Sequence, residues 1–194
     1  SAFAVLVFLA GCASQGLDSE TGTALSSCSN PCAGSFRTQT QGGWGAAPRG
    51  GNSGQYLAAN FSTAFPNGIS VGCTKRLNLT SAAAVQAFLP SGGSPRVLTA
   101  TTTNPGGSLS NTLAGQLVAA TINVEFDRAI PSFGASSLRL RDLNIQTGPF
   151  AGQTVGSLID EANRALGGCG STYSASTLSN ALDGFNRSFH EGNS

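Results

Sequence analysis

Charge is what this chain has least of. Of its 194 residues, 10% are Asp, Glu, Lys or Arg, against roughly a quarter in an ordinary soluble domain. The balance is also even, with a formal net charge of +1. No single-sign field exists to attract nucleic acid or an anionic surface. Intrinsic disorder is a poor match too, because 40% of the residues are hydrophobic and no excess charge resists collapse. Gly, Ser, Thr, Asn and Gln supply the polar surface instead.

Catalytic side chains are equally sparse. The one histidine, His190, stands near the C-terminus. A Ser-His-Asp or Cys-His mechanism needs a firmly held base beside its nucleophile. A helix-end histidine in solvent is the simpler expectation for His190. Glycoside hydrolysis needs two carboxyl groups across the scissile bond. Only nine acidic residues exist, and two of them, Asp18 and Glu20, fall in a polar N-terminal stretch. Glu125 and Asp127 share a face on a strand but not on a helix. Asp160 and Glu161 read as a solvated helix edge. No Asp-x-Asp-x-Asp-Gly calcium loop occurs, although Asp127 and Asp142 could meet in space. The glycine pairs 42–43 and 50–51 lack the Lys and helix pattern of a phosphate loop. No cofactor is expected.

Residues 2–10 form an unbroken apolar run of nine, followed by Gly11 and Cys12. A membrane-spanning helix needs about 20 such residues. The length and the small-residue exit instead suit a signal-peptide core. Leu9-Ala10-Gly11-Cys12 resembles the lipobox of bacterial lipoproteins at all four positions. That resemblance implies cleavage before Cys12 and a diacylglycerol on its thiol. A buried N-terminal strand is the competing reading of the run. With no initiator Met or basic segment ahead of it, the chain is expected to begin inside the leader. Ala13 follows the cysteine, where Asp in Gram-negative lipoproteins resembles an inner-membrane retention signal. The outer membrane is therefore the expected address, held by several acyl chains.

Cys28, Cys32, Cys73 and Cys169 then form an even set. In an exported chain these predict two disulfides, with three connectivities open. A zinc site is the alternative, since Cys28 and Cys32 have acceptable spacing, but Cys73 and Cys169 form no second knuckle. Trp44, the only Trp, sits among glycines with Tyr56 nearby in sequence. Both are candidate ligand-binding aromatics, and core packing is the competing reading of Trp44.

The periodicity predicts an α+β domain of about four helices on a small, mostly antiparallel sheet. Helices are expected at 81–89, 111–126, 154–166 and 175–189, with a shorter one over 55–64. Strands are expected at 36–41, 69–71, 96–103 and 137–145. The expected division is a leader remnant at 1–11, a flexible tether at 12–27 and one globular domain at 28–194. The motifs Thr38-Gln-Thr-Gln-Gly-Gly-Trp-Gly45, Gly54-Gln-Tyr-Leu-Ala-Ala-Asn-Phe61, Ala64-Phe-Pro66 and Val71-Gly-Cys73 resemble a module of exported bacterial proteins. So do Phe88-Leu-Pro-Ser-Gly-Gly93, Leu113-Ala-Gly-Gln-Leu117 and Ala165-Leu-Gly-Gly168. The resemblance runs over residues 36–189 and implies export and a compact module, with no assigned activity. The expected function is a membrane-anchored binding or structural module meeting a glycan or surface protein. A secreted hydrolase of cell-surface glycans is the alternative, and an assembly subunit with an exposed apolar patch is a third class.

Overall fold

The computed structural model describes residues 35–190 and Gly192. Among them the order is α1 (Gln41–Trp44), α2 (Ser53–Ala64), β1 (Ile69–Gly72), β2 (Arg76–Leu79), α3 (Ala82–Phe88), β3 (Thr102–Thr103), α4 (Thr112–Ala129), α5 (Val155–Gly167) and α6 (Ala175–Ser188). Single 3-10 turns occur at Gly106–Ser108 and Leu140–Asp142. The architecture is α+β.

Local chemistry explains where the helices begin. Thr40, Asn52, Ser81, Asn111, Thr154 and Ser174 each accept a hydrogen bond from the backbone N–H three residues on. Each such cap contributes about 1 kcal/mol. The four long helices expected from periodicity are present within a few residues of their expected ends. The segment over 55–64 is also helical and starts at Ser53, because Asn52 caps it. At the far end of α5, Gly168 takes a left-handed φ of 79° and closes the helix onto Arg164 and Ala165 carbonyls. A glycine there avoids the Cβ penalty of that conformation.

Helix α4 is the centre. Apart from Thr112, Thr121, Glu125, Arg128 and Ala129, every residue in it is buried. A helix this apolar around its whole girth has to be surrounded, and it packs against α1, α2, α5 and α6. Helices α5 and α6 each present one apolar stripe inward, Val155, Leu158, Ile159, Ala162 and Leu166 on the first and Leu178, Ala181, Leu182 and Phe185 on the second.

The sheet is small and mixed. β1 and β2 are antiparallel, pairing Ile69 with Leu79 and Val71 with Leu77, all four buried. β3 joins β2 in parallel through two residue pairs. β2 was not anticipated, and the expected strand at 96–103 shrinks to its last two residues. The backbone N–H and C=O of Arg96 are both taken by the Asn111 side chain. Among the described residues no neighbouring strand competes for them.

Two other expected strands are absent for the same kind of reason. Residues 36–40 are extended, but their one ladder contact is a bridge from Thr38 to His190. The Asn123 side chain accepts from Gln39 N–H at 2.9 Å and donates to its carbonyl at 3.0 Å. Over 137–145 the Asp127 carboxylate accepts from Leu140 N–H at 2.9 Å, beside the 3-10 turn at Leu140–Asp142. Asn111, Asn123 and Asp127 thus act as strand partners from the cap and body of α4.

Candidate functional site

Several expected site residues can now be placed. Cys12, Cys28 and Cys32 lie outside the described residues. Cys73 and Cys169 are joined by a disulfide with Cα atoms 6.3 Å apart. A four-cysteine zinc site is thereby excluded, since both thiols are consumed. The bond fastens the end of β1 to the residue after the α5 cap. The approach is so close that a Cβ on Gly167 would fall 1.9 Å from Cys73 N.

Trp44 belongs to the core and is 0% exposed. Its ring meets Phe126 edge-on at 5.2 Å and Phe133 in a stack at 6.2 Å. Its indole N–H donates to Asn123 Oδ1 at 3.1 Å. No ring face is left for a ligand, so of the two readings of Trp44 core packing holds and ligand stacking does not. His190 is exposed and its segment meets Thr38 through the backbone. Glu125, Asp160, Glu161 and Asp183 are engaged by Arg128, Arg141, Arg164 and Arg187 at 2.7–3.6 Å. Exposed pairs of this kind contribute little. Among the described residues no group of three or more His, Cys, Asp or Glu could hold a metal ion.

Asp127 is the buried carboxylate, 3% exposed. Burial pushes its pKa up, the Leu140 N–H and Arg139 pull it back, and Asp142 adds a small upward push. The folded chain therefore holds the Asp127 proton more firmly than the unfolded chain does. Between the unfolded and the raised folded pKa, the folded state binds more protons, so stability falls as pH rises. Asp127→Asn keeps an acceptor for Leu140 N–H and removes the buried charge. In urea unfolding from pH 3 upward, its stability relative to the parent should increase through this window and then level off. A difference independent of pH would contradict the assignment.

One concavity lies beside the disulfide, about 290 Å³, lined by Val97, Ala165, Gly168, Gly170, Ser171 and Tyr173 among others. Its hydroxyls are already engaged: Ser171 donates to Glu161, and Tyr173 accepts from Gln153. A different cluster carries unspent polarity. Among the described residues, the buried side-chain atoms without a hydrogen-bond partner are Arg37 Nε, Gln39 Nε2, Gln39 Oε1 and Tyr56 Oη.

These atoms are carried by residues 37 and 39 of the N-terminal segment and by α2. Arg37 and Gln39 alternate onto one side of the extended segment. Arg37 lies over the Tyr56 ring at 5.1 Å and the Phe133 ring at 5.6 Å. Gln39 is 0% exposed, and its Oε1 sits against Gly43 with Ser53 Oγ alongside, 2.8 and 3.5 Å from where a Gly43 Cβ would stand. Ser53 and Tyr56 are one turn apart on α2. Native structures pair nearly all buried polar atoms, so such a concentration calls for an explanation.

Sequence reasoning reached this cluster in part. Tyr56 was a candidate and belongs to it, with Trp44 directly behind through Phe126 and Phe133. The alternation Phe-Arg-Thr-Gln-Thr-Gln over 36–41 puts Arg37 and Gln39 on the polar face of the expected strand. Their signal was the alternation itself, but alternation cannot show that α2 covers the polar face. Comparison of the chain with protein-family models, curated proteins and solved structures finds no match.

Proposed function

We propose that this chain is an exported, lipid-anchored domain of a bacterial envelope that acts as a binding or structural module rather than as an enzyme. The observation that carries the reading is the Cys73–Cys169 bond, closed across 96 residues of sequence. Cytosolic thiols are kept reduced, whereas such bonds persist outside the cytoplasm. The Leu9-Ala10-Gly11-Cys12 lipobox adds the anchor, and residues 13–27 supply a polar tether between the lipid and the domain. Ala13 favours the outer membrane. The low charge suits an extracytoplasmic surface, where a glycan or another surface protein is the natural partner class.

The test is direct. Mass spectrometry of the protein extracted from bacterial membranes should show a lipid-mass adduct on Cys12. Cys12→Ala should move the domain from the membrane to the soluble fraction. An uncut leader, or membrane retention of the Ala variant, would overturn the anchor.

A further inference from the structure

We propose that the Cys73–Cys169 bond is a reversible redox site, opened by an external thiol that attacks Cys169 while the domain stays folded. The proposal goes beyond the binding-module reading and rests on it only for the oxidising compartment in which the bond closes. Cys169 is exposed and Cys73 is half-buried. Gly167 covers the Cys73 side, where a Cβ would fall 2.8 Å from Cys73 Sγ. On the other side Gly170 follows Cys169, and a Cβ there would meet nothing within 4 Å. Gly168 and Gly170, the two neighbours of Cys169, also line the concavity of about 290 Å³. An incoming thiolate therefore has a clearer approach to Cys169 than to Cys73. Exchange between thiols and disulfides depends on which sulfur can be reached.

Two further observations suit a bond that opens and closes again. Each sulfur already has a polar neighbour: the Arg164 carbonyl oxygen lies 3.6 Å from Cys73 Sγ, and the Thr74 hydroxyl oxygen 3.2 Å from Cys169 Sγ. A thiol is a weak donor and its sulfur an acceptor. Once the bond opens, the Cys73 S–H donates to the Arg164 carbonyl and the Thr74 hydroxyl donates to the Cys169 thiolate. The second observation is the scaffold around the sulfurs. Gly72 N–H donates to Asn163 Oδ1 at 2.7 Å, Lys75 N–H to the Gly167 carbonyl at 3.0 Å and Leu98 N–H to the Leu166 carbonyl at 2.8 Å. These bonds hold β1 and β2 against the end of α5 without the sulfurs, so the pair stays juxtaposed for reclosure. In the first step the thiolate attacks Cys169 Sγ, the S–S bond breaks, and the electron pair leaves on Cys73 Sγ, which takes a proton from water. A second thiolate then attacks the external sulfur of the mixed disulfide, and Cys169 leaves as a thiolate. Two external thiols are oxidised to one disulfide, and the protein disulfide is reduced. The link between α5 and α6 thereby loses its covalent tie to β1.

Reduced glutathione is the probe, added to the full chain without denaturant. Alkylation and peptide mapping follow Cys73 and Cys169 separately from Cys12, Cys28 and Cys32. The expected first product carries glutathione on Cys169 and an alkylated Cys73. It should form at a rate that rises in proportion to glutathione and exceeds the global unfolding rate at least about tenfold. Far-ultraviolet dichroism should not change on reduction, and glutathione disulfide should restore the bond. Thr74→Val should prolong the mixed disulfide on Cys169 about threefold, because the leaving thiolate loses its donor. Thr74→Ser should return it to the parent's lifetime. Reduction only in urea, a rate that levels off at the unfolding rate, or glutathione on Cys73 would overturn the site. An unchanged lifetime in Thr74→Val would overturn the part given to that hydroxyl. A lipid adduct on Cys12 together with no reduction of the folded chain would discard the redox site and leave the anchored module standing.

Discussion

Replacing Cys73 and Cys169 together by alanine is expected to lower the unfolding free energy by about 4 kcal/mol. The bond spans 96 residues, and closing a loop of that order restricts the unfolded chain by roughly 4 to 5 kcal/mol at room temperature. The double variant avoids a stray thiol and returns that freedom. The native state loses less, because Lys75 N–H still bonds the Gly167 carbonyl at 3.0 Å and Leu98 N–H the Leu166 carbonyl at 2.8 Å. The β1–β2 turn and α5 should therefore stay in place. Urea unfolding should show a lower midpoint with little change in far-ultraviolet dichroism of the folded protein. Reducing the parent protein should reproduce the effect. A loss below about 1 kcal/mol would mean the bond does not constrain the unfolded ensemble as supposed.

Asn123→Leu is expected to cost a comparable amount, about 4 kcal/mol or more. Asn123 is 0% exposed and uses every hydrogen-bonding position it has. Its oxygen accepts from Gln39 N–H and the Trp44 indole, and its amide donates to the Gln39 carbonyl and Asn186 Oδ1. Leucine fills the volume but strands all four partners. Each buried polar group left unpaired costs roughly 1 to 3 kcal/mol. The chain of bonds runs on from Asn186 to Gln116, then to Asp183 and Arg187 at the surface. Asn123→Asp is the sharper probe, since it keeps the acceptor for Gln39 N–H and Trp44 but faces two oxygens where it had donated. It should also be strongly destabilised. Denaturant midpoints measure both variants, and Trp44 emission should change in Asn123→Leu, where the indole loses its partner, and stay closer to the parent in Asn123→Asp, which keeps the acceptor. A leucine variant as stable as the parent would show that the network adds nothing beyond packing.

Helical content was largely readable from local sequence. Ser81, Asn111, Thr154 and Ser174 announce helix starts by side-chain capping, a property of neighbouring residues alone. The apolar stripes of α5 and α6 recur at 3.6-residue spacing, and Gly168 marks a left-handed end. The strands were less readable. β2, Arg76–Leu79, is four residues long, too short for alternation to separate it from a loop. The runs at 36–41, 96–103 and 137–145 alternate or favour β residues, yet their partners lie far away along the chain.

The candidate cluster divides in the same way. Tyr56 was legible as an aromatic near a polar loop. Arg37 and Gln39 were legible only as a polar face, and nothing local says that a second helix lies over that face. Trp44 has two readings in the sequence, core packing and ligand stacking, and Phe126 from α4 and Phe133 beyond it decide for the core.

What the sequence determined by itself was thus the helices α2 to α6, the caps of four of them and the scarcity of charge, while the short α1 falls where a strand end and a loop were expected. Propensity, capping and periodicity act within a few residues and need no knowledge of the fold. Only the tertiary structure decided which extended segments became strands, that Cys73 meets Cys169, and where the unspent polar atoms gather. Those outcomes depend on Asn111, Asn123 and Asp127, on or capping one central helix, reaching backbone groups 13 to 84 residues distant in sequence. A side chain that replaces a strand leaves no periodic trace in the segment it holds.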